Sequence, residues 1–275
     1  MSHQKYSRLL VPRRAKDDTV LGLLSLHGPL GFLEEGRDLV ACFRDAAVAR
    51  EAGESLAAAR VRFALTTDIP EGDALETYRA ASRPFAVGRR FWIDPGDPSD
   101  SAPPAGRVAL RLPASRAFGT GGHESTRLAL AALEDEDLEG ARVLDVGTGS
   151  GVLALAAAAL GARSAVGYDT DAQAIFVARE NLARHLFGER VFLFAGPTRA
   201  VDGTFDVVLA NMLPEELLSL SGELRRRVAP GGRWIVSGLP AEREREVAGR
   251  LVSRRFPLDG RRQENEWISL VLRRA

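Results

Sequence analysis

The stretch "VLDVGTGSGVLAL" (143–155) runs from an apolar strand-like segment through alternating glycines into an apolar helix-like segment. Asp145 falls at the strand end, and Gly147, Gly149 and Gly151 occupy the turn. Glycines there let backbone approach a ligand closely, while the acid can receive a cationic or hydroxyl-bearing group. A tight turn with nothing bound is the plain alternative. A dinucleotide site competes more strongly, but its fingerprint is G-x-G-x-x-G, whereas these glycines run G-x-G-x-G and Val152 stands at the third fingerprint position. Asp169, ending the next strand in "GYDTD" (167–171), can take both hydroxyls of a ribose. It supports an adenosine ligand without choosing between cofactors. Asp171 reads as the N-cap of the following helix.

An α/β alternation extends from this stretch to the C-terminus. Strands are expected at "ARVLDVG" (141–147), "SAVGYD" (164–169), "RVFLFAG" (190–196), "FDVVLANML" (205–213), "RWIVSGL" (233–239) and "WISLVLRR" (267–274). Helices fill the gaps, among them 171–186 and 214–228, the second with Pro214 in its first turn, where a missing N–H costs nothing. Near-continuous apolar strands between helices imply a mainly parallel sheet covered on both faces, with ligands beyond the carboxyl ends of its strands. Asn211, at the end of the fourth strand in "VVLANMLPEE" (207–216), would share a crevice with Asp145. Its other reading is an Asx turn before the Pro214 helix.

Upstream, residues 1–68 read strand, helix, strand, strand, helix, strand, the order of a ferredoxin-like α+β plait. Residues 69–106 read as an interdomain connection with one helix near 74–83, because "DPGDPSDSAPPAG" (94–106) cannot sustain a helix or a central strand. Residues 107–275 are expected to form the second domain. Ahead of its core lies "RAFGTGGHESTRLAL" (116–130), a glycine-rich loop entering a helix. It lacks the Lys-Ser/Thr pair of a P-loop and precedes the first core strand, so it reads as a lid folded over the crevice.

Composition narrows the function classes. The chain has 275 residues, 45% of them hydrophobic, and its 37 basic residues balance 37 acidic ones. No global field draws it to nucleic acid or to an anionic membrane. One cysteine, Cys42, excludes an internal disulfide framework and a cysteine-rich metal site, and a reducing cytoplasm is the expected compartment. No apolar run is long enough to span a bilayer, and no metal-ligand spacing is present. The run "EREREVAGRLVSRR" (242–255) reads as an amphipathic helix with Val247 and Leu251 inward.

"DVGTGSG", "YDTD" and "ANMLP" resemble motifs of class I S-adenosylmethionine-dependent methyltransferases. "AFGTGGHESTRLAL" (117–130) resembles the loop ahead of the core in the PrmA family, which methylates ribosomal protein eleven of the large subunit. "ENEWISL" (264–270) is similar to that family's terminal acidic-Trp strand. The resemblance implies a Rossmann-like domain with a mostly parallel seven-stranded sheet behind a small ferredoxin-like recognition domain. It also implies S-adenosyl-L-methionine as cofactor and a ribosomal protein as substrate, while charge balance, hydropathy and ligand spacing lead to the expectation of no nucleic acid, membrane or metal partner. Carried onto this sequence, Phe118, Gly119, Thr126, Asp145, Gly147, Gly149, Asp169 and Asn211 become the cofactor-site residues. The lid departs from the common Gly-Thr-Gly-Thr-His-Pro-Thr-Thr: Gly122 replaces the second Thr, and Glu124-Ser125 replaces Pro-Thr. "PASR" (113–116) stands where the family has Asp-Pro-Gly, and Tyr78 is the sole aromatic where two Trp are expected near 76–80.

The chemistry expected is N-methylation of lysine or N-terminal amines. Asn211 is the candidate catalytic residue, its side-chain oxygen accepting a substrate N–H, with Met212 and Leu213 as an apolar wall. An amide suits this better than a carboxylate, which would favour the ammonium. His123 reads as orienting its loop. A methyltransferase for another protein or a small amine, a silent S-adenosylmethionine-binding interaction protein, and a dehydrogenase are the alternatives.

Overall fold

The structure, a computed structural model, describes residues 5–12, 20, 23–24, 26–29, 31–35, 38–70, 84–95, 102–112 and 121–275. The chain forms two compact units, Met1–Ala81 and Ser82–Ala275.

In the first unit, strands β1 (Lys5–Pro12), β2 (Gly31–Glu35), β3 (Asp38–Phe43) and β4 (Ala64–Pro70) form one antiparallel sheet in the order β2-β3-β1-β4. Helix α1 (Ala46–Ala58) starts at Asp45, whose carboxylate accepts from the Ala47 N–H at 2.7 Å. Alternation along β1 turns Leu9 and Val11 inward, where they pack with Phe43 and with Ala49, Ala52 and Leu56 of the helix. Val20 and Leu24, from the helix expected over 17–27, join this core. The order and antiparallel pairing of the four strands are those of the expected ferredoxin-like plait. The turn at 36–37 and the helix expected at 74–83 lie outside the described residues.

The second unit begins earlier than the sequence reading placed it. Strands β5 (Phe85–Val87) and β6 (Phe91–Asp94) lie inside the expected connection, forming a three-stranded sheet with β7 (Val108–Arg111). Val87, Phe91 and Ile93 are buried in the main core. Their short alternation was masked by the Pro- and Gly-rich run that follows. The buried Glu134 carboxylate holds the hairpin turn, accepting from the N–H groups of Arg89 and Arg90, each at 2.8 Å.

Seven strands form the large sheet: β8 (Arg142–Val146), β9 (Ser164–Asp169), β10 (Val191–Ala195), β11 (Phe205–Asn211), β12 (Val228–Pro240), β13 (Leu258–Glu264) and β14 (Trp267–Arg273). Their order is β10-β9-β8-β11-β12-β14-β13, parallel from β10 to β12, with β14 and β13 antiparallel. This is the mostly parallel sheet expected of a class I methyltransferase. The strand β13 was absent from the sequence reading, because an edge strand reading "LDGRRQE" has no apolar face.

Alternate residues serve opposite faces. Val143, Val207, Leu209 and Ile235 pack with helices α2 (Glu124–Leu133) and α3 (Val152–Ala159). Leu144, Val208, Ala210, Trp234 and Val236 pack on the other side with α5 (Pro214–Arg227) and α6 (Glu244–Leu251), where Val247 and Leu251 are fully buried as expected. Helix α4 (Ala172–Leu182) follows β9. Each such side chain contributes roughly 1.5–3 kcal/mol on burial, so the strand ends that carry the site are held by a rigid core.

Candidate active site

The chain runs outward from β8 through β9 and β10, then returns to β11 on the other side of β8. That reversal is the switch point of the sheet, and in sheets of this kind ligands bind beyond the carboxyl ends of the strands on either side of it, here β8 and β11. The end of β8 pairs with both neighbours, Asp145 opposite Gly167 of β9 and Leu209 of β11, and Asn211 lies one residue past the last β8–β11 pair.

The turn after β8 has the form its glycines require. Gly147, Gly149 and Gly151 take φ of 65°, 52° and 81°, a left-handed backbone that residues with a Cβ rarely adopt. Asp145, 1% exposed, accepts through Oδ2 from Thr148 Oγ1 at 2.6 Å and from the Ala154 N–H at 3.2 Å. Its Oδ1 is buried with no hydrogen-bond partner among the described residues. Burial pushes its pKa up to about 6 and the Asp169 charge adds to the rise, while the Thr148 and Ala154 hydrogen bonds oppose it. Asp169 is held from both sides, Oδ2 accepting from the Gly149 N–H and Oδ1 from the Asp171 N–H, each at 3.0 Å. Asp171 caps α4 through the Gln173 N–H at 2.8 Å.

At the end of β11, Asn211 Nδ2 donates to Thr126 Oγ1 at 3.2 Å, and Asn211 Oδ1 is buried without a hydrogen-bond partner among the described residues. Thr126 is fully buried in the first turn of α2. The next strand supports that turn, since Ser237 Oγ donates to the Ser125 carbonyl at 2.7 Å. Gly238 makes room for the end of β11: its φ is 79°, and a Cβ there would lie 2.7 Å from the Met212 carbonyl oxygen. Met212 approaches the glycine turn, its Cε 3.5 Å from where a Cβ on Gly147 would lie, while Leu213 is mostly exposed.

His123 is the N-cap of α2. Its Nδ1 accepts from the Ser125 N–H at 3.2 Å and lies 2.8 Å from Ser125 Oγ, so the neutral ring carries its proton on Nε2. The ring meets Trp267 edge-on, with centroids 4.8 Å apart.

The structure thus gathers Thr126, Asp145, Gly147, Gly149, Asp169 and Asn211 at one end of the sheet. Phe118 and Gly119 lie outside the described residues. Sequence reasoning missed Thr148, which holds Asp145, and Asn181, whose Nδ2 donates to the Ser150 carbonyl at 2.9 Å and ties α4 to the glycine turn. It also missed Ser237 and Gly238. The signal for Asn181 was a polar residue on the inward face of its helix, and for Ser237-Gly238 a polar and glycine pair ending an apolar strand.

Comparison with known proteins identifies the family. The family described as Ribosomal protein L11 methyltransferase (PrmA) matches residues 33–275. A Ribosomal protein L11 methyltransferase of Pelobacter propionicus is 42% identical over 217 residues, 77% of this chain and 70% of that protein. One from Geobacter metallireducens is 42% identical over 205 residues, 74% of this chain and 67% of that protein. The crystal structure of the ribosomal protein L11 methylase from Lactobacillus delbrueckii subsp. bulgaricus superposes with a TM-score of 0.64 at 31% identity, covering 70% of this chain and 99% of that one. A family match over most of the chain, relatives above 40% identity and a shared fold converge on one assignment: the chain belongs to the ribosomal protein L11 methyltransferase family.

Proposed function

We propose that this chain is an S-adenosylmethionine-dependent protein N-methyltransferase that modifies lysine or N-terminal amines of ribosomal protein L11 in the cytoplasm. The observation that carries the reading is the buried Asn211 Oδ1 at the switch point, an acceptor without a hydrogen-bond partner among the described residues, which lies against Gly238. A buried acceptor left unpaired costs about 1–3 kcal/mol, a cost that a bound donor would relieve.

The residues fit the cofactor. The unpartnered Asp145 Oδ1 suits the ammonium of its methionine portion, Asp169 suits the ribose hydroxyls, and the left-handed glycines admit close backbone approach. When bound, S-adenosylmethionine supplies an electrophilic methyl on a sulfonium, so the protein needs no covalent nucleophile.

The protein's own task is to present a neutral amine. Keeping a lysine of pKa near 10.4 deprotonated at pH 7 costs about 4–5 kcal/mol, and an α-amine near 8 about 1 kcal/mol. Asn211 Oδ1 accepts an N–H of that amine and fixes the direction of its lone pair, while its lack of charge avoids favouring the ammonium. Met212, packed beside the glycine turn, helps exclude water.

Calorimetry with S-adenosylhomocysteine and with NAD tests the cofactor assignment. Micromolar binding of the first and none of the second is expected; the reverse would make the chain a nicotinamide enzyme.

A further inference from the structure

The opening of α2 is fastened to the turn between β13 and β14. Arg127 Nε donates to both Glu264 carboxylate oxygens at 3.0 and 3.2 Å, and its Nη2 donates to Oε1 at 2.5 Å. Its Nη1 donates to the Gly122 carbonyl. Asn265, in a left-handed conformation with φ 51°, donates through Nδ2 to Glu124 Oε1 at 3.1 Å. The edge-on contact between His123 and Trp267 completes the clasp. Gly122 and Glu124, two positions where this chain departs from the common family loop, both take part in it.

The residue before Arg127 is Thr126, whose hydroxyl holds the Asn211 amide. A bidentate guanidinium–carboxylate pair fixes direction as well as distance. If the α2 opening shifts by about 1 Å, the 3.2 Å bond from Asn211 to Thr126 passes beyond hydrogen-bond range. The amide can then rotate and present Nδ2, a donor, to an amine that needs an acceptor. Asp145 in β8 and Asp169 at the end of β9 are hydrogen-bonded to the glycine turn and take no part in the clasp, so their share of cofactor binding should outlast its loss.

We infer that Arg127, secured by Glu264, is a positioning residue for methyl transfer: it seats the first turn of α2 so that Thr126 keeps Asn211 Oδ1 turned toward the substrate. This rests on the methyl-transfer reading above.

The test measures kcat and KM on ribosomal protein L11, with S-adenosylhomocysteine binding and thermal midpoint, for wild type, Arg127→Met and the milder Glu264→Gln. The same Arg127→Met change is also made in a Thr126→Val background. Each single variant is expected to lose kcat roughly ten- to hundredfold, since misplacement of about 1 Å is enough for that. Cofactor-product affinity should stay within about threefold of wild type. Because Arg127 acts through Thr126, adding Arg127→Met to Thr126→Val should change kcat little further. Unchanged kcat in Glu264→Gln and Arg127→Met, or full additivity with Thr126→Val, overturns the positioning role alone. Absence of transfer by the wild type overturns the methyl-transfer reading and this role with it.

Discussion

Thr126 Oγ1 and Asn211 Nδ2 meet at 3.2 Å across 85 residues of sequence, joining the first turn of α2 to the end of β11. The contact uses the donor side of the amide and leaves Oδ1 buried without a hydrogen-bond partner among the described residues. Replacing Asn211 by Ala is expected to keep S-adenosylhomocysteine affinity and to lower methyl transfer by at least about a hundredfold, as loss of a group acting in the transition state does. A radiolabelled methyl assay beside calorimetry checks this, and unaltered turnover rules the role out. Asn211→Asp should also be slow, with its remaining activity shifted to higher pH, because a carboxylate favours the ammonium form of the substrate.

Asp145 predicts a pH dependence of stability. Its folded pKa, about 6, lies above the ordinary 3.8, so its contribution is fully present below pH 3.8 and is lost as pH rises through about 6. The whole effect is about 3 kcal/mol. Urea unfolding from pH 4 to 7 should show Asp145→Asn gaining stability over wild type by up to that amount as pH rises. A difference independent of pH would contradict the buried carboxylate as its source. Cofactor binding should strengthen over the same pH range, as ionised Asp145 becomes available to a cation.

His185 works in the opposite direction. Its Nε2 accepts from the Arg111 N–H at 2.9 Å and Nδ1 lies 2.8 Å from the Asn181 carbonyl, a pattern that requires the neutral ring. Burial lowers its pKa, the Asn181 carbonyl opposes that, and the charges of Arg111 and Arg184 add to the lowering. Its stabilisation is present above the unfolded value near 6.5 and is lost as pH falls through the lower folded value. Wild type minus His185→Gln stability should therefore shrink on acidification below pH 6.5. Proton NMR of the ring should report the depressed titration, and an ordinary midpoint would contradict it.

Gly238→Ala introduces a Cβ 2.7 Å from the Met212 carbonyl oxygen at a φ of 79°. Strain at such a position costs on the order of 1–3 kcal/mol. Because the crowded carbonyl adjoins Asn211, kcat should fall together with thermal stability. Gly249→Ala, on α6 with open space around it, should be neutral or slightly stabilising in the same measurements.

What the sequence made legible was short-range. The β8 turn, the acid ending β9, the Asp171 cap and the Pro214 helix are each specified within a dozen residues by glycine spacing, strand alternation or capping chemistry. The parallel order followed because consecutive apolar strands separated by helices have few alternatives. Partnerships between distant segments could not be read. Thr126 with Asn211, Arg127 with Glu264 and Ser237 with the Ser125 carbonyl join segments 85 to 137 residues apart. The strand β13 was hidden because an edge strand needs no apolar face, and β5–β6 because a Pro-rich run adjoins a short hairpin.

The most direct measurement is intact-mass analysis of purified ribosomal protein L11 after incubation with this protein and S-adenosylmethionine, beside an Asn211→Ala control, with peptide mapping of the modified amines. Mass increments of whole methyl groups on lysine or N-terminal amines, absent in the control, are the predicted result. An unmodified substrate, or equal modification by the Asn211→Ala protein, would contradict it.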